Sequence, residues 1–123
     1  IYRLMARHLS ENGALVVQST SPWFAPQSFW CIDATLREAG FHTHPYHAYV
    51  PSFGEWGFNL ATRRPGYTPP TAYSIPTRFL DGETTRLMFR FPPDMKPLPV
   101  EPNHLNNQRL VHYFEQDWGN VVR

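Results

Sequence analysis

Gln18 closes an apolar run, Ala14–Val17, and opens a polar stretch, Ser19-Thr20-Ser21-Pro22-Trp23. A carboxamide at the end of a strand has two uses. It caps the following turn, or it faces a ligand at the carboxyl edge of a sheet. A second place of this kind is Pro51–Trp56, where Phe53 and Trp56 supply aromatic faces and Glu55 a carboxylate, flanked by Pro51 and Gly54. Such a wall suits an aliphatic cation, through apolar contact with the methylenes and cation–π attraction for the charge. The plain alternative is a hairpin turn with a hydrophobic plug, and the residues alone leave both open.

Other reactive side chains make weaker cases. His42, His44 and His47 spell H-x-H-x-x-H, which overlaps the H-x-H-x-D-H metal motif of metallo-β-lactamase-like hydrolases. Tyr46 stands where that motif needs aspartate, and on a strand His42 and His44 share a face while His47 points away. Surface or core imidazoles are therefore favoured, and no metal is expected. Cys31 falls mid-helix without a cationic neighbour in sequence, which suits a small buried hydrophobe better than a nucleophile. The chain has no Gly-rich phosphate loop, no G-x-S-x-G elbow and no C-x-x-C. No complete catalytic apparatus is recognisable, and no catalytic residue is assigned.

The elements that must position these residues follow from periodicity. Ile1, Leu4, Met5, His8 and Leu9 lie on one helical face, with Asn12-Gly13 as the stop, so a helix is expected near 2–12. Ala14–Val17 reads as a strand covered on both faces. Pro26 suits a first helical turn, and Phe29, Ile32, Leu36 and Ala39 mark a helix over 26–39 closed by Gly40. From Phe41 to Val50 the period changes to two, with Tyr46, Ala48 and Val50 on one side and His47 and Tyr49 on the other. Trp56, Phe58 and Leu60 repeat it after the loop. The order helix-strand-helix-strand-strand gives an α/β fold: a right-handed crossover between two parallel strands, then a terminal antiparallel hairpin. Such an order resembles the tail of a Rossmann-like, methyltransferase-type sheet, a likeness of fold. Residues 65–123 form a second region, a Pro-rich connection followed by short helices. Asp81 is placed to cap one helix through about Phe89, and Asn103 another in which Leu110, Phe114 and Trp118 share a face.

Composition narrows the classes. The 123 residues suffice for one domain with a modest core, and a net charge of +1 without Lys/Arg runs argues against nucleic acid as a partner. One cysteine excludes an internal disulfide and fits a reducing compartment. The chain begins at Ile1, already on the helical stripe, which is expected of a piece of a longer protein.

LVVQSTSPW, a helix, and then PYHAYVPSFGEWGFNLA resemble the C-terminal half of polyamine aminopropyltransferases, the spermidine synthases. In that family a strand ending in Gln precedes a helix and a Y…(I/V)P(S/T)(Y/F)…G…GF hairpin. The tail FPPDMKPLPVEPNHLNNQRLVHYFEQDW resembles the C-terminal extension of a bacterial branch whose longer members carry transmembrane helices ahead of the synthase domain. The resemblance assigns residues 1–64 to the synthase domain and 65–123 to the extension. It implies transfer of an aminopropyl group from decarboxylated S-adenosylmethionine, a co-substrate rather than a cofactor, to a diamine, usually putrescine. It places the nucleotide site and the general-base aspartate upstream of Ile1, so the chain alone is expected to be inactive. Gln18 matches the glutamine near the amine, and Phe53 the loop position that is often tyrosine, here without its hydroxyl. Trp23, Trp56 and Glu55 are the further amine-side candidates. A homo-oligomeric parent is implied, in the cytoplasm or anchored to the membrane from upstream. An S-adenosylmethionine-dependent methyltransferase and a non-catalytic α/β interaction module remain alternatives.

Overall fold

A computed structural model describes residues 1–103 and 108–122. The order is α1 (Tyr2–His8), β1 (Ala14–Gln18), α2 (Pro26–Glu38), β2 (His42–Val50), β3 (Gly54–Thr62), α3 (Gly82–Met88), a 3-10 turn at Pro93–Met95, and α4 (Arg109–Val122).

The strands form one sheet in the order β1-β3-β2. Both pairings are antiparallel, so β1 and β2 run the same way with β3 reversed between them. The expected strand directions are present, but β2 is not the neighbour of β1: the hairpin folds back so that β3 takes the central place. Pro45 fits this order. It has no N–H to give and sits in β2, whose one partner among the described residues is β3.

α2 covers one sheet face. Phe29, Ile32 and Leu36, the apolar stripe of the sequence, are buried there. Ile32 and Leu36 form the core with Phe41 and Ala61. Gly57 of β3 lets the sheet approach α2, since a Cβ there would lie 2.3 Å from the Phe29 ring and 2.8 Å from the Thr20 carbonyl oxygen. Asn59 crosses the same interface and donates to Asp33 Oδ1 at 2.8 Å, while Arg37 Nε donates to Asp33 Oδ2 at 2.9 Å. α2 ends in a Schellman motif: Gly40 has φ +100°, its N–H bonds the Arg37 carbonyl, and Phe41 N–H bonds the Leu36 carbonyl.

Two sequence expectations need correction. The buried side of α1 is Tyr2 and Ala6, continued by Leu9 after the helix, and not the Ile1–Leu4–Met5 stripe, which is exposed. Both sides of α1 carry apolar residues, so periodicity could not choose between them, and the helix stops at His8 rather than near 12. Among the described residues β1 is covered on one face: Leu15 and Val17 pack on the core, whereas Val16 is 54% exposed.

The C-terminal region wraps this unit. Asp81 caps α3, accepting from Thr84 N–H at 2.7 Å. Phe89 packs on Tyr46 and Phe91 on His47, Phe29 and Trp30, so residues 89–91 straddle the outer edge of β2. Asn103 accepts from Leu110 N–H at 2.9 Å at the start of α4, and α4 lies along α2. Leu110 joins the core, while Phe114 and Trp118 pack ring to ring on the same side of α4.

Candidate functional site

The carboxyl end of β1 and the β2–β3 turn meet at one edge of the sheet. Chain continuity there is secured by backbone bonds: Ser19 N–H donates to the Gly57 carbonyl, and Gly57 N–H to the Thr20 carbonyl. Two serine hydroxyls hold the loop that follows. Ser19 Oγ donates to the Val17 carbonyl at 2.9 Å, and Ser21 Oγ accepts from Trp23 and Phe24 N–H at 3.2 and 3.1 Å. Both serines are fully buried. The β2–β3 turn is equally defined. Phe53 N–H bonds the Val50 carbonyl, with Pro51 second in the turn and Ser52 at φ +75°, the arrangement of a type II turn.

Gln18 is exposed and pairs in register with Phe58. Its side chain makes no hydrogen bond with the described residues, and the two serines hold the turn that it could otherwise have capped. By register it shares a sheet face with Phe58, Trp56, Tyr46 and Ala48. Phe58 stacks on Tyr46 with centroids 5.3 Å apart, and Phe53 meets Trp56 edge to face at 6.3 Å. Phe53 is 68% exposed and Trp23 half exposed. The structure thus brings Gln18, Trp56 and Phe53 to one edge, with Trp23 on the adjoining loop.

Glu55 departs from this group. Alternation turns it to the opposite face from Trp56, where its carboxylate accepts from His47 Nδ1 at 2.8 Å. The other ring nitrogen of His47 faces the Arg90 carbonyl at 2.6 Å. Glu55 and His47 therefore tie the hairpin to the C-terminal region, and the carboxylate does not stand beside the aromatic wall. His44 lies on the Gln18 face under Tyr67, and burial followed by the nearby His42 pushes its pKa below the usual value. Among the described residues no group of three His, Cys, Asp or Glu side chains is placed to hold a metal. Cys31 is fully buried, and burial pushes its thiol pKa up, which leaves it an inert core residue.

Phe58, Tyr46 and Phe24 belong to the edge although the sequence did not single them out. The alternation of β2 and β3 carried the signal for the first two; nothing local marked Phe24. Burial, and then Tyr67, raise the pKa of the Tyr46 phenol, so it is a neutral hydroxyl near this edge. Two clefts of about 570 Å³ open elsewhere among the described residues, and neither is lined by Gln18, Phe53 or Trp56. The candidate site is an open edge, the form one wall of a larger site would take.

Residues 1–68 match the spermine/spermidine synthase domain family. The chain belongs to that family. It is 62% identical over 123 residues to polyamine aminopropyltransferase 2 of Ralstonia nicotianae, covering 99% of this chain and 24% of that protein. Similarity extends to the polyamine aminopropyltransferases of Leptospira interrogans, at 42% over 121 residues, and Mycobacterium tuberculosis, at 39% over 119 residues. These alignments cover 98% and 95% of this chain and 24% and 23% of the respective relatives. The chain thus spans about a quarter of the length of the curated relatives it matches. The match also takes in the C-terminal region beyond residue 68, so α3 and α4 have counterparts in these transferases. No helix among the described residues is long and apolar enough to cross a membrane.

Proposed function

We propose that this chain forms the amine-side wall of an aminopropyltransferase that makes spermidine from putrescine and decarboxylated S-adenosylmethionine. The observation that carries the reading is the unengaged carboxamide of Gln18, presented at the carboxyl end of β1 beside Phe53 and Trp56 while Ser19 and Ser21 hold the turn. The names of the relatives supply the reaction class. In the transfer, a neutral amine attacks the carbon next to the sulfonium. The new C–N bond forms as the C–S bond breaks, methylthioadenosine leaves, and the amine proton passes to an aspartate outside this chain. Gln18 then hydrogen-bonds near an amine nitrogen, Phe53 and Trp56 pack along the methylenes, and Trp23 closes the side. The nucleotide is a co-substrate, and no cofactor or metal is invoked. On this reading the intact protein works in the cytoplasm as a homo-oligomer, and attachment to a membrane depends on residues ahead of Ile1.

The test is Gln18→Ala in the intact protein. The diamine kcat/KM should fall roughly tenfold to a few hundredfold, the scale of one or two lost polar contacts. Nucleotide binding should stay as it was. A lower melting temperature with an unaltered diamine KM would reduce Gln18 to a loop support and remove the reading's main ground.

A further inference from the structure

α4 reaches the candidate site through the loop that follows β1. The loop from Ser19 to Ala25 delivers Trp23 to that edge and runs directly into α2. The start of α2 lacks a side-chain cap of its own, since Ala25 occupies the N-cap and Pro26 follows. The cap comes from α4 instead. Asp117 is 3% exposed, and its Oδ2 accepts from Ser28 N–H at 2.8 Å and Ser28 Oγ at 2.9 Å. Its Oδ1 faces Gln27 N–H and Nε2, both at 3.4 Å. The next residue, Trp118, stacks on Phe24 of the loop, with centroids 6.3 Å apart and planes 16° from parallel. Phe24 in turn lies under the β2–β3 turn, where a Cβ on Gly54 would sit 3.5 Å from its ring. One turn of α4 thus fixes the start of α2, the β1–α2 loop and, through Phe24, the turn that bears Phe53.

We propose that Asp117 and Trp118 are positioning residues for the diamine: α4 sets the separation between the Trp23 loop and the Phe53 turn, and so the fit of the aliphatic chain between them. This rests on the reading of that edge as the amine wall. Both contacts also stabilise the fold, so a positioning role is separated from a structural one by the diamine KM read against the nucleotide Kd. The nucleotide site is outside this chain, so the effect should fall on one substrate.

The experiment uses the intact protein with decarboxylated S-adenosylmethionine and putrescine. Trp118→Leu keeps apolar volume and removes the stack; it should raise the diamine KM roughly threefold to tenfold, the worth of one aromatic pair, with nucleotide Kd unchanged. Trp118→Phe should restore the KM, because it restores a stacking face. Asp117→Asn keeps an acceptor oxygen and should act in the same direction as Trp118→Leu, more weakly. If Trp118→Leu does not fold, Asp117→Asn carries the same readouts. A diamine KM unchanged in both variants, or a parallel loss of nucleotide binding, overturns the proposal. Gln18→Ala run alongside separates the failures. A raised diamine KM in Gln18→Ala with none in the α4 variants discards only the role of α4. No effect in Gln18→Ala discards the amine wall and this proposal with it.

Discussion

The two faces of the three-stranded sheet are built on opposite terms. On the α2 face the chain is closely fitted: Ala61 lies against Ile32 and Leu36, Gly57 under Phe29, and Asn59 donates to Asp33. On the other face, at the β1 end, Val16 and Gln18 stand exposed beside the Phe58–Tyr46 stack. A packed face yields stability. An exposed one, held in place by the first, is where binding can be placed, since a polar group already paired inside the protein has little to offer a ligand. The serine-braced loop follows Gln18 and the type II turn follows Val50, both on the open face by register, and so join the two.

The largest expected effect breaks the close approach on the packed face. Gly57→Ala would push a methyl into the Phe29 ring and the Thr20 carbonyl oxygen. A side chain gives way more readily than backbone, so the Thr20 contact decides the cost. Urea unfolding should show a loss of about 3 kcal/mol, the upper part of the usual range for overpacking. A neutral result would mean that β3 and α2 are not closely fitted.

A smaller effect sharpens the contrast. Asp33→Ala leaves the Asn59 amide, 1% exposed, without its acceptor. The cost should be on the order of 1–3 kcal/mol, the penalty for a buried polar group left unpaired. Gln18→Ala on the open face should change stability by less than about 0.5 kcal/mol, as surface substitutions usually do. Equal losses in the two variants would erase the distinction between the faces.

Legibility in the sequence followed the same division. α2, β2 and β3 could be read because their apolar residues repeat at the period of the element and because Gly40, Pro51 and Gly54 mark the ends. Gln18 stood out as a polar residue ending an apolar strand, and Phe53 as an aromatic in a loop flanked by Pro51 and Gly54. The central place of β3 could not be read, since a hairpin tells which strands touch but not which side the earlier strand takes. The side of α1 that is buried was ambiguous because both sides are apolar. The pairing of Glu55 with His47 was within reach, since a short turn puts both on one face of the hairpin. Asp117 on Ser28 and Trp118 on Phe24 join residues about ninety positions apart, and no local pattern encodes such contacts.

The smallest effect asks how far the open face is open. His44 shares that face with Gln18 by register, yet its ring lies 4.9 Å from Tyr67 and its Nε2 is buried without a hydrogen-bond partner among the described residues. The Tyr67 segment therefore covers the His44 end, while the Gln18 end stays free. Burial, and then the adjacent His42, lower the His44 pKa from the ordinary 6.5. Above that value His44 is neutral in both folded and unfolded chains and adds no pH dependence. As the pH falls through it, the unfolded chain takes up a proton that the folded chain refuses, so stability drops until the lowered folded pKa is reached and then levels off. Replacing His44 by Phe removes this proton without emptying the space under Tyr67. Between about pH 7.5 and pH 5.5, the range in which histidine titrates, the urea midpoint should fall more steeply for the native chain than for His44→Phe. Parallel slopes would mean that water reaches His44, and that the face is open from β1 across to β2.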